Sequence, residues 1–157
     1  MSRSLSARER GPIRVGTDLC SVRDVEASVE AFGDRYLRRV YTEHELEYCG
    51  RDPQRSAERL AARFAAKEAV VKVLRPREAR PEWKSIEVRR DPDGWCELSL
   101  TGTAARLARE QAIDSLAVSL SHEAGLANAV VVATLTGGHD SEHETEERRA
   151  GRGSTNQ

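Results

Sequence analysis

The chain has no long apolar run, and it lacks the features of a nucleic-acid-binding protein. No stretch approaches the roughly 20 consecutive apolar residues that a membrane-spanning helix needs. The net charge is −1 and aromatic residues make up only 4% of the chain, so no basic surface interleaved with aromatic side chains is expected. The basic residues near the N-terminus are not followed by an apolar region, and a secretory signal is therefore not expected. These absences argue against membrane and nucleic-acid partners.

Cysteine is scarce as well. Cys20, Cys49 and Cys96 are odd in number and widely spaced, and no C-x-x-C pair occurs. This pattern is not that of a disulfide framework. No histidine or asparagine is implied beside any of the three thiols, as a cysteine nucleophile would require. The sequence predicts reduced core thiols in a cytoplasmic protein.

Apolar residues are also few, at 38% against 32% charged residues, which is a polar balance for a globular chain. Two terminal segments explain part of it. Residues 1–11 are rich in Ser and Arg, and residues 137–157 hold Gly, His, Glu and Arg with almost nothing to bury, so both are predicted to be disordered tails. One folded domain is expected over residues 12–136.

The first half of that domain is predicted to contain one strand followed by helices. Residues 13–19 alternate apolar and polar side chains, which indicates a strand ending near Asp18. Ser21 is a plausible N-cap of a helix that runs to Gly33. A short helix around Leu37 follows, and a capping box of Thr42 and Glu45 opens another. A long helix then ends near Pro76.

The second half is predicted to be richer in strands. Residues 86–88 and 98–100 alternate around a turn at residues 91–94, which indicates a hairpin. Thr103 is expected to cap a helix, and strands at residues 115–121 and 127–135 complete the chain. This order predicts an α+β domain in which antiparallel strands pack on a long helix.

Lysine is the rarest charged residue: it supplies only three of the 25 basic side chains, and the other 22 are arginine. Two of these lysines flank Glu68 in the segment 63–72, which is predicted to be helical because no Gly or Pro occurs over residues 56–75. Lysine carries a compact point charge and arginine a planar fork, so the two are not interchangeable. The scarce lysines therefore mark this helix as a candidate site.

A helical projection separates the roles of the two lysines. Four apolar side chains form a stripe along the helix: Leu60, Phe64, Val71 and Leu74. Lys67 lies in the middle of this stripe, whereas Glu68 lies at its edge in line with Lys72. A Glu–Lys pair four residues apart is commonly a surface pair worth a few tenths of a kcal/mol. An unpaired ammonium is not expected on a buried face, so Lys67 favours a more specific role.

The polar residues at predicted strand ends and on this helix favour phosphate chemistry. Asp18 and Glu68 are hard oxygen ligands of the kind that Mg²⁺ takes, whereas zinc would need a cluster of Cys or His. Four side chains would supply positive charge to phosphate oxygens: Arg63, Lys67, Lys72 and His122. The pattern predicts magnesium-dependent chemistry on a phosphate ester or anhydride. Structural roles remain the alternative, since Asp18 could cap a turn and His122 could be a structural histidine.

Three segments in one order resemble the holo-acyl carrier protein synthase family, the short type of 4′-phosphopantetheinyl transferase. They are GTDL at residues 16–19, RFAAKEAVVK at residues 63–72 and VSLSH at residues 118–122. The resemblance implies a compact α+β domain that forms a homotrimer with coenzyme A (CoA) at the subunit interfaces. It also implies that 4′-phosphopantetheine is transferred from CoA to a serine of apo-acyl carrier protein, which releases adenosine 3′,5′-bisphosphate.

The resemblance also assigns roles by position. It implies that Asp18 and Glu68 hold Mg²⁺ and that Lys72 contacts the transferred phosphate, so these three are the expected catalytic residues. The nucleotide phosphates are expected near three further residues: Arg63, Ser121 and His122. Lys67 joins the expected CoA-binding residues because of its charge and its position on the helix.

Three positions depart from the family pattern. Asp24 stands where an arginine usually docks the acidic carrier, residues 75–77 (RPR) replace a Gly-rich turn, and Trp95 with Cys96 replaces a basic residue and proline. Two other functions therefore remain open. One is a non-catalytic module that binds CoA or a carrier protein, and the other is a magnesium-dependent enzyme acting on another nucleotide pyrophosphate.

Overall fold

The computed structural model of the protein describes residues 13–136. Within that range lie five strands: β1 (Ile13–Ser21), β2 (Ile86–Arg90), β3 (Cys96–Leu100), β4 (Ile113–Glu123) and β5 (Leu126–Leu135). Five α-helices accompany them: α1 (Val22–Phe32), α2 (Asp34–Val40), α3 (Glu43–Gly50), α4 (Ser56–Leu74) and α5 (Gly102–Glu110). The tails predicted at residues 1–11 and 137–157, together with Pro12, lie outside the described residues.

The helix starts that the sequence indicated in the first half are confirmed by their hydrogen bonds. The Ser21 hydroxyl accepts the N–H of Asp24 at 3.2 Å at the start of α1. Thr42 and Glu45 form the complete capping box of α3: the hydroxyl of Thr42 accepts the N–H of Glu45, and the carboxylate of Glu45 accepts the N–H of Thr42. Each contact satisfies backbone donors that have no partner within the helix.

The predicted cap at Thr103 is wrong. Helix α5 begins at Gly102 and its N-cap is Thr101, two residues before the predicted cap. The hydroxyl of Thr103 instead accepts the N–H of Glu82 at 3.1 Å and donates to the hydroxyl of Ser85 at 3.2 Å. A tertiary contact with the preceding loop thus takes the place of the local capping contact.

The strands form a three-stranded antiparallel sheet in the order β1-β5-β4 and a separate hairpin of β2 and β3. One face of the larger sheet packs on α4, and small buried side chains of β5 line that contact: Ala127, Ala129, Val131 and Ala133. The two backbones come close together at Gly16, where a Cβ atom would lie 2.2 Å from the carbonyl oxygen of Ala69. This contact sets the position of α4 against β1.

Among the described residues, the opposite face of the same sheet is left exposed. Successive residues of a strand point to opposite faces, so β1 turns its odd-numbered residues outward. Ile13, Val15 and Leu19 are 57%, 62% and 60% exposed, and Leu126 of β5 lies beside them at 41%. No helix in the described part of the chain is long and apolar enough to cross a membrane.

Candidate active site

Asp18 and Lys72 meet where β1 packs on α4. Asp18 belongs to the face of β1 that points toward α4, and the Lys72 ammonium lies 2.9 Å from its Oδ1 atom. Lys72 also donates to the carbonyl oxygen of Thr17 at 2.6 Å. The side-chain amide of Asn128 on β5 donates to the carbonyl oxygen of Asp18 at 3.0 Å, which ties this end of β1 to its neighbour. The fold thus brings together two predicted site residues that are 54 positions apart.

Glu68 lies one helical turn before Lys72, and its carboxylate faces the guanidinium of Arg80, with Arg80 Nη1 3.4 Å from both oxygens. Cys20 lies two residues after Asp18 on the same face of β1. Burial raises the pKa of Cys20 to about 11, and the negative charges of Asp18, Asp24 and Glu68 add to this shift. Lys72 connects the two predicted metal carboxylates, because it contacts Asp18 directly and lies four residues after Glu68 on α4.

The donors of this region suit a cation that takes few protein ligands. The described residues contain no group of three or more His, Cys, Asp or Glu side chains arranged to hold a metal ion. Two carboxylates remain, each now facing a basic side chain. Mg²⁺ commonly takes one or two carboxylates and completes its octahedron with water and phosphate oxygens. The region formed by Asp18, Glu68 and Lys72, called the carboxylate site below, fits such an ion.

A second cluster of charge lies in a groove of about 430 Å³ between α4, the β2–β3 hairpin and β4. It is called the arginine groove below, after the basic side chains among its lining residues: Arg55, Arg59, Arg63, Arg90 and His122. Tyr48, Glu58, Trp95 and Cys96 also line it. The groove combines four guanidinium groups with aromatic surface.

Tyr48 contacts three of the arginines that line the groove. The guanidinium carbons of Arg63 and Arg59 lie 4.3 and 5.0 Å from the centre of its ring, within the range of a cation–π contact. Arg90 donates to its hydroxyl at 2.9 Å. Arg63 is 4% exposed, and its Nε atom has no hydrogen-bond partner among the described residues. A buried N–H without a partner is costly, so this site is suited to an anionic ligand.

The predicted site residues fall into different places. Arg63 and His122 line the arginine groove, whereas Asp18, Glu68 and Lys72 do not. Ser121 is exposed, and its backbone pairs with Asn128; because side chains alternate along β4, it points to the outer sheet face while His122 points to the other. One chain therefore presents the carboxylate site and the arginine groove as separate clusters.

The expectation that Lys67 binds phosphate is corrected by its burial. Its ammonium lies 2.8 Å from a carboxylate oxygen of Glu45 and donates to the carbonyl oxygens of Trp83, at 3.0 Å, and Ile86. A lysine has three N–H donors, so none is left for a ligand. Burial lowers the pKa of Lys67, and the Glu45 carboxylate opposes that shift. Lys67 is on the buried stripe as predicted, but its partner is a buried carboxylate.

Sequence reasoning missed several residues of the arginine groove: Tyr48, Arg55, Arg59, Arg90 and Trp95. One signal was available, because Arg55, Arg59 and Arg63 recur every four residues and so share one helical face. The contributions of Tyr48 and Arg90 had no comparable signal. They come from α3 and the hairpin, and only the packing of these elements on α4 brings them together.

Comparisons with known proteins agree with this fold. Residues 14–129 match the family model of the 4′-phosphopantetheinyl transferase superfamily (ACPS). The holo-[acyl-carrier-protein] synthase of Halothermothrix orenii is 41% identical over 118 residues, which cover 75% of this chain and 94% of that protein. The structure of the ACPS–CoA complex from Chronobacterium ammoniagenes superposes with a TM-score of 0.72 at 27% identity, covering 79% of this chain and 98% of that one.

A second solved structure, the holo-[acyl-carrier-protein] synthase of Helicobacter pylori in complex with coenzyme A, has a TM-score of 0.65 at 28% identity. The match covers 77% of this chain and 100% of the Helicobacter pylori chain. These matches define an α+β transferase fold of the phosphopantetheinyl type. The chain belongs to the 4′-phosphopantetheinyl transferase superfamily, and the relatives it matches are holo-[acyl-carrier-protein] synthases.

Proposed function

We propose that this protein transfers 4′-phosphopantetheine from CoA to a serine hydroxyl of an apo-acyl carrier protein and releases adenosine 3′,5′-bisphosphate. The observation that carries the proposal is the contact of Lys72 with Asp18 beside Glu68. Phosphoryl transfer depends on positioning and charge stabilisation more than on covalent chemistry by the protein. Two carboxylates and an ammonium in one place supply the groups for that task.

In this proposal Asp18 and Glu68 hold Mg²⁺, which when bound neutralises charge on the pyrophosphate of CoA. Lys72 is half exposed, at 51% of its side chain, so its ammonium is free to turn from Asp18 to a phosphate oxygen. Arg80, which now faces Glu68, is exposed and equally able to leave. Lys72 then stabilises the charge that develops on the transferred phosphate.

The arginine groove takes the nucleotide end of CoA in this proposal. Arg63 contributes a buried guanidinium and His122 lies in the same lining, and arginine binds phosphate oxygens well because its N–H groups form a planar fork. Ser121 precedes His122 on β4 but points to the outer sheet face, so it is not part of the groove lining in one chain. The three free thiols, Cys20, Cys49 and Cys96, fit a reducing compartment such as the cytoplasm.

The homotrimer is part of the same proposal. The outer face of the sheet exposes Ile13, Val15, Leu19 and Leu126, and exposed apolar patches mark interaction surfaces. A second copy would cover this face, and CoA would lie between neighbouring copies. We expect light scattering to give three chains per particle, and Val15→Asp to give monomers that have lost transfer activity. A trimeric Val15→Asp protein would contradict this arrangement.

The central test is a transfer assay. The protein is incubated with CoA, MgCl₂ and a panel of apo-carriers from fatty-acid, polyketide and peptide synthesis, and intact mass spectrometry detects the phosphopantetheine increment. At least one carrier should be modified by the wild type. Glu68→Gln should abolish modification with an unchanged circular dichroism spectrum, while Glu97→Gln, an exposed carboxylate on β3, should remain active.

One outcome would overturn the proposed function, and a second would overturn the metal role of Glu68. If CoA binds in calorimetry but no carrier is modified, the chain is a non-catalytic CoA-binding module. If Glu68→Gln transfers at the wild-type rate, Glu68 does not hold the metal.

Removal of divalent cations by EDTA should stop transfer and added MgCl₂ should restore it.

A further inference from the structure

Trp95 is an unusual side chain for a protein surface. It is 73% exposed, more than any other large apolar residue in the described part of the chain. It also lines the arginine groove beside Cys96. A large apolar ring next to several guanidinium groups is not placed there by the folding of this domain, because it buries little surface. Its place among the lining residues makes the ring available to a ligand bound in the groove.

The backbone of Trp95 is held firmly. Its N–H donates to the side-chain carboxylate of Asp91 at 2.8 Å, and its carbonyl oxygen accepts the N–H of Asp91 at 2.9 Å. Arg90 donates through Nε to the carbonyl oxygen of Gly94 at 2.8 Å, and through Nη1 to Tyr48 on α3. Hydrogen bonds therefore hold the turn both internally and, through Arg90, against Tyr48 on α3. Because the backbone is fixed, only the side-chain torsions of the ring remain to be ordered when it binds a ligand.

The groove thus offers two kinds of contact in one place. Arg59, Arg63 and His122 suit phosphate oxygens, and Trp95 offers a flat aromatic face. A purine nucleotide carries both matching groups, since every base has a π-face that stacks on aromatic side chains. An acidic protein partner would also match the arginines, but a groove of about 430 Å³ has the size of a small-molecule site.

We propose that Trp95 stacks on the adenine base of CoA and so sets the affinity of the groove for the nucleotide end of this substrate. This inference rests on the proposed function, because it takes CoA as the ligand. Stacking holds the base, and the arginines hold the phosphates. Trp95 contacts no reacting atom, so it acts on CoA binding and not on the transfer step.

Steady-state kinetics with CoA and a modified carrier test the inference. Trp95→Ala should raise KM for CoA about 10-fold, within the range measured when a base-stacking side chain is replaced by alanine. The value of kcat and the KM for the carrier should stay within about 2-fold. Trp95→Phe should recover most of the affinity because the ring is retained. Phe32→Ala removes another exposed ring, on α1, and should leave KM for CoA unchanged.

Fluorescence supplies a readout that does not need transfer. The chain has two tryptophans, and Trp83 packs on Phe64 with ring centres 5.3 Å apart. The difference in emission between wild type and Trp95→Phe therefore isolates the Trp95 signal. Adenosine 3′,5′-bisphosphate should quench this difference signal to saturation. Pantetheine, which has no base, should not.

The outcomes separate the inference from the proposed function. If wild type transfers phosphopantetheine but Trp95→Ala keeps the wild-type KM for CoA, or the nucleotide does not quench Trp95, the inference fails and the proposed function stands. If Trp95→Ala raises KM for the carrier alone, or changes the particle mass in light scattering, Trp95 is a protein contact and the inference fails. Quenching by the nucleotide without any transfer would support the stacking contact and overturn the proposed function.

Discussion

The ammonium of Lys67 lies 2.8 Å from a carboxylate oxygen of Glu45, and both side chains are fully buried. The other Glu45 oxygen accepts the N–H of Val88 at 2.9 Å. Lys67 reaches the carbonyl oxygens of Trp83 and Ile86. This pair therefore links α3, α4 and the start of the hairpin. The same helix carries Glu68 and Lys72 one and five residues later, so the pair holds the helix on which the carboxylate site is built.

Breaking this pair should destabilise the protein strongly. Lys67→Met leaves Glu45 buried without its counter-charge, and such a loss costs about 3–5 kcal/mol. Urea unfolding followed by circular dichroism should show it. Lys84→Met, at an exposed lysine, should change the free energy of unfolding by less than about 0.5 kcal/mol. The double variant Lys67→Met, Glu45→Gln should recover part of the loss, because the unpaired charge is removed.

Gly16→Ala should loosen the contact between β1 and α4. The new Cβ atom would lie 2.2 Å from the backbone carbonyl oxygen of Ala69 and 3.3 Å from Lys72 Cβ. Backbone must shift to relieve this overlap, and overpacking of this kind costs about 1–3 kcal/mol. Thermal unfolding should show the loss, and transfer should slow because Asp18 and Lys72 face each other across this contact. Gly50→Ala is the matched control, because a Cβ atom added at Gly50 would meet no atom within 4 Å apart from its neighbours in the helix. An equal loss of stability in Gly50→Ala would contradict the explanation.

The three thiols should differ in their reaction with a maleimide at pH 8. Burial raises the pKa of both Cys20 and Cys49 to about 11, so the thiolate fraction of each at pH 8 is about one in a thousand. Cys96 is only half buried and lines the arginine groove. Mass spectrometry should find one rapid modification, at Cys96, and two more only after addition of denaturant. Rapid native labelling of Cys20 or Cys49 would contradict their burial.

The two buried thiols, Cys20 and Cys49, make a contribution to the free energy of unfolding that depends on pH. A thiol whose pKa is raised by folding, from 9.0 to about 11, binds its proton more tightly in the native state. Its contribution is fully present below pH 9 and is lost as the pH rises through 11. Replacing Cys20 and Cys49 by Ala should therefore flatten the decline of unfolding free energy over that interval. The comparison requires urea titrations of both proteins at each pH.

Charge on α1 should control the affinity for an acidic carrier protein. Asp24 lies in the first turn of α1 and is exposed, and its negative charge opposes such a partner. Asp24→Arg should lower KM for an acidic carrier roughly 3- to 10-fold at low salt, with less effect at high salt. The double variant Arg38→Glu, Arg39→Glu, at exposed positions of α2, should raise KM for the same carrier.

KM for CoA should not change in these charge variants. Asp24→Asn separates loss of the negative charge from gain of a positive one. An Asp24→Arg protein with unchanged KM for every acidic carrier would show that the carrier docks away from α1.

Much of the secondary structure followed from contacts between residues that are near in sequence. The cap at Ser21, the box of Thr42 with Glu45 and the alternation along β1 involve positions at most four apart. Such contacts are visible in a sequence because the geometry of helices and strands sets their spacing. Thr103 failed as a cap because its hydroxyl found partners on Glu82 and Ser85, about 20 residues away.

Local patterns in the sequence were enough to predict the elements of this α+β domain, the burial of Lys67 and the family motifs that mark Asp18, Glu68 and Lys72. The contacts of these side chains depend instead on the packing of separate elements: Lys67 pairs with Glu45, and Lys72 with Asp18. That packing also assembles the arginine groove from α3, α4, the hairpin and β4. The physical reason is that periodicity reports which face of an element is buried, whereas the partner on that face depends on how separate elements pack.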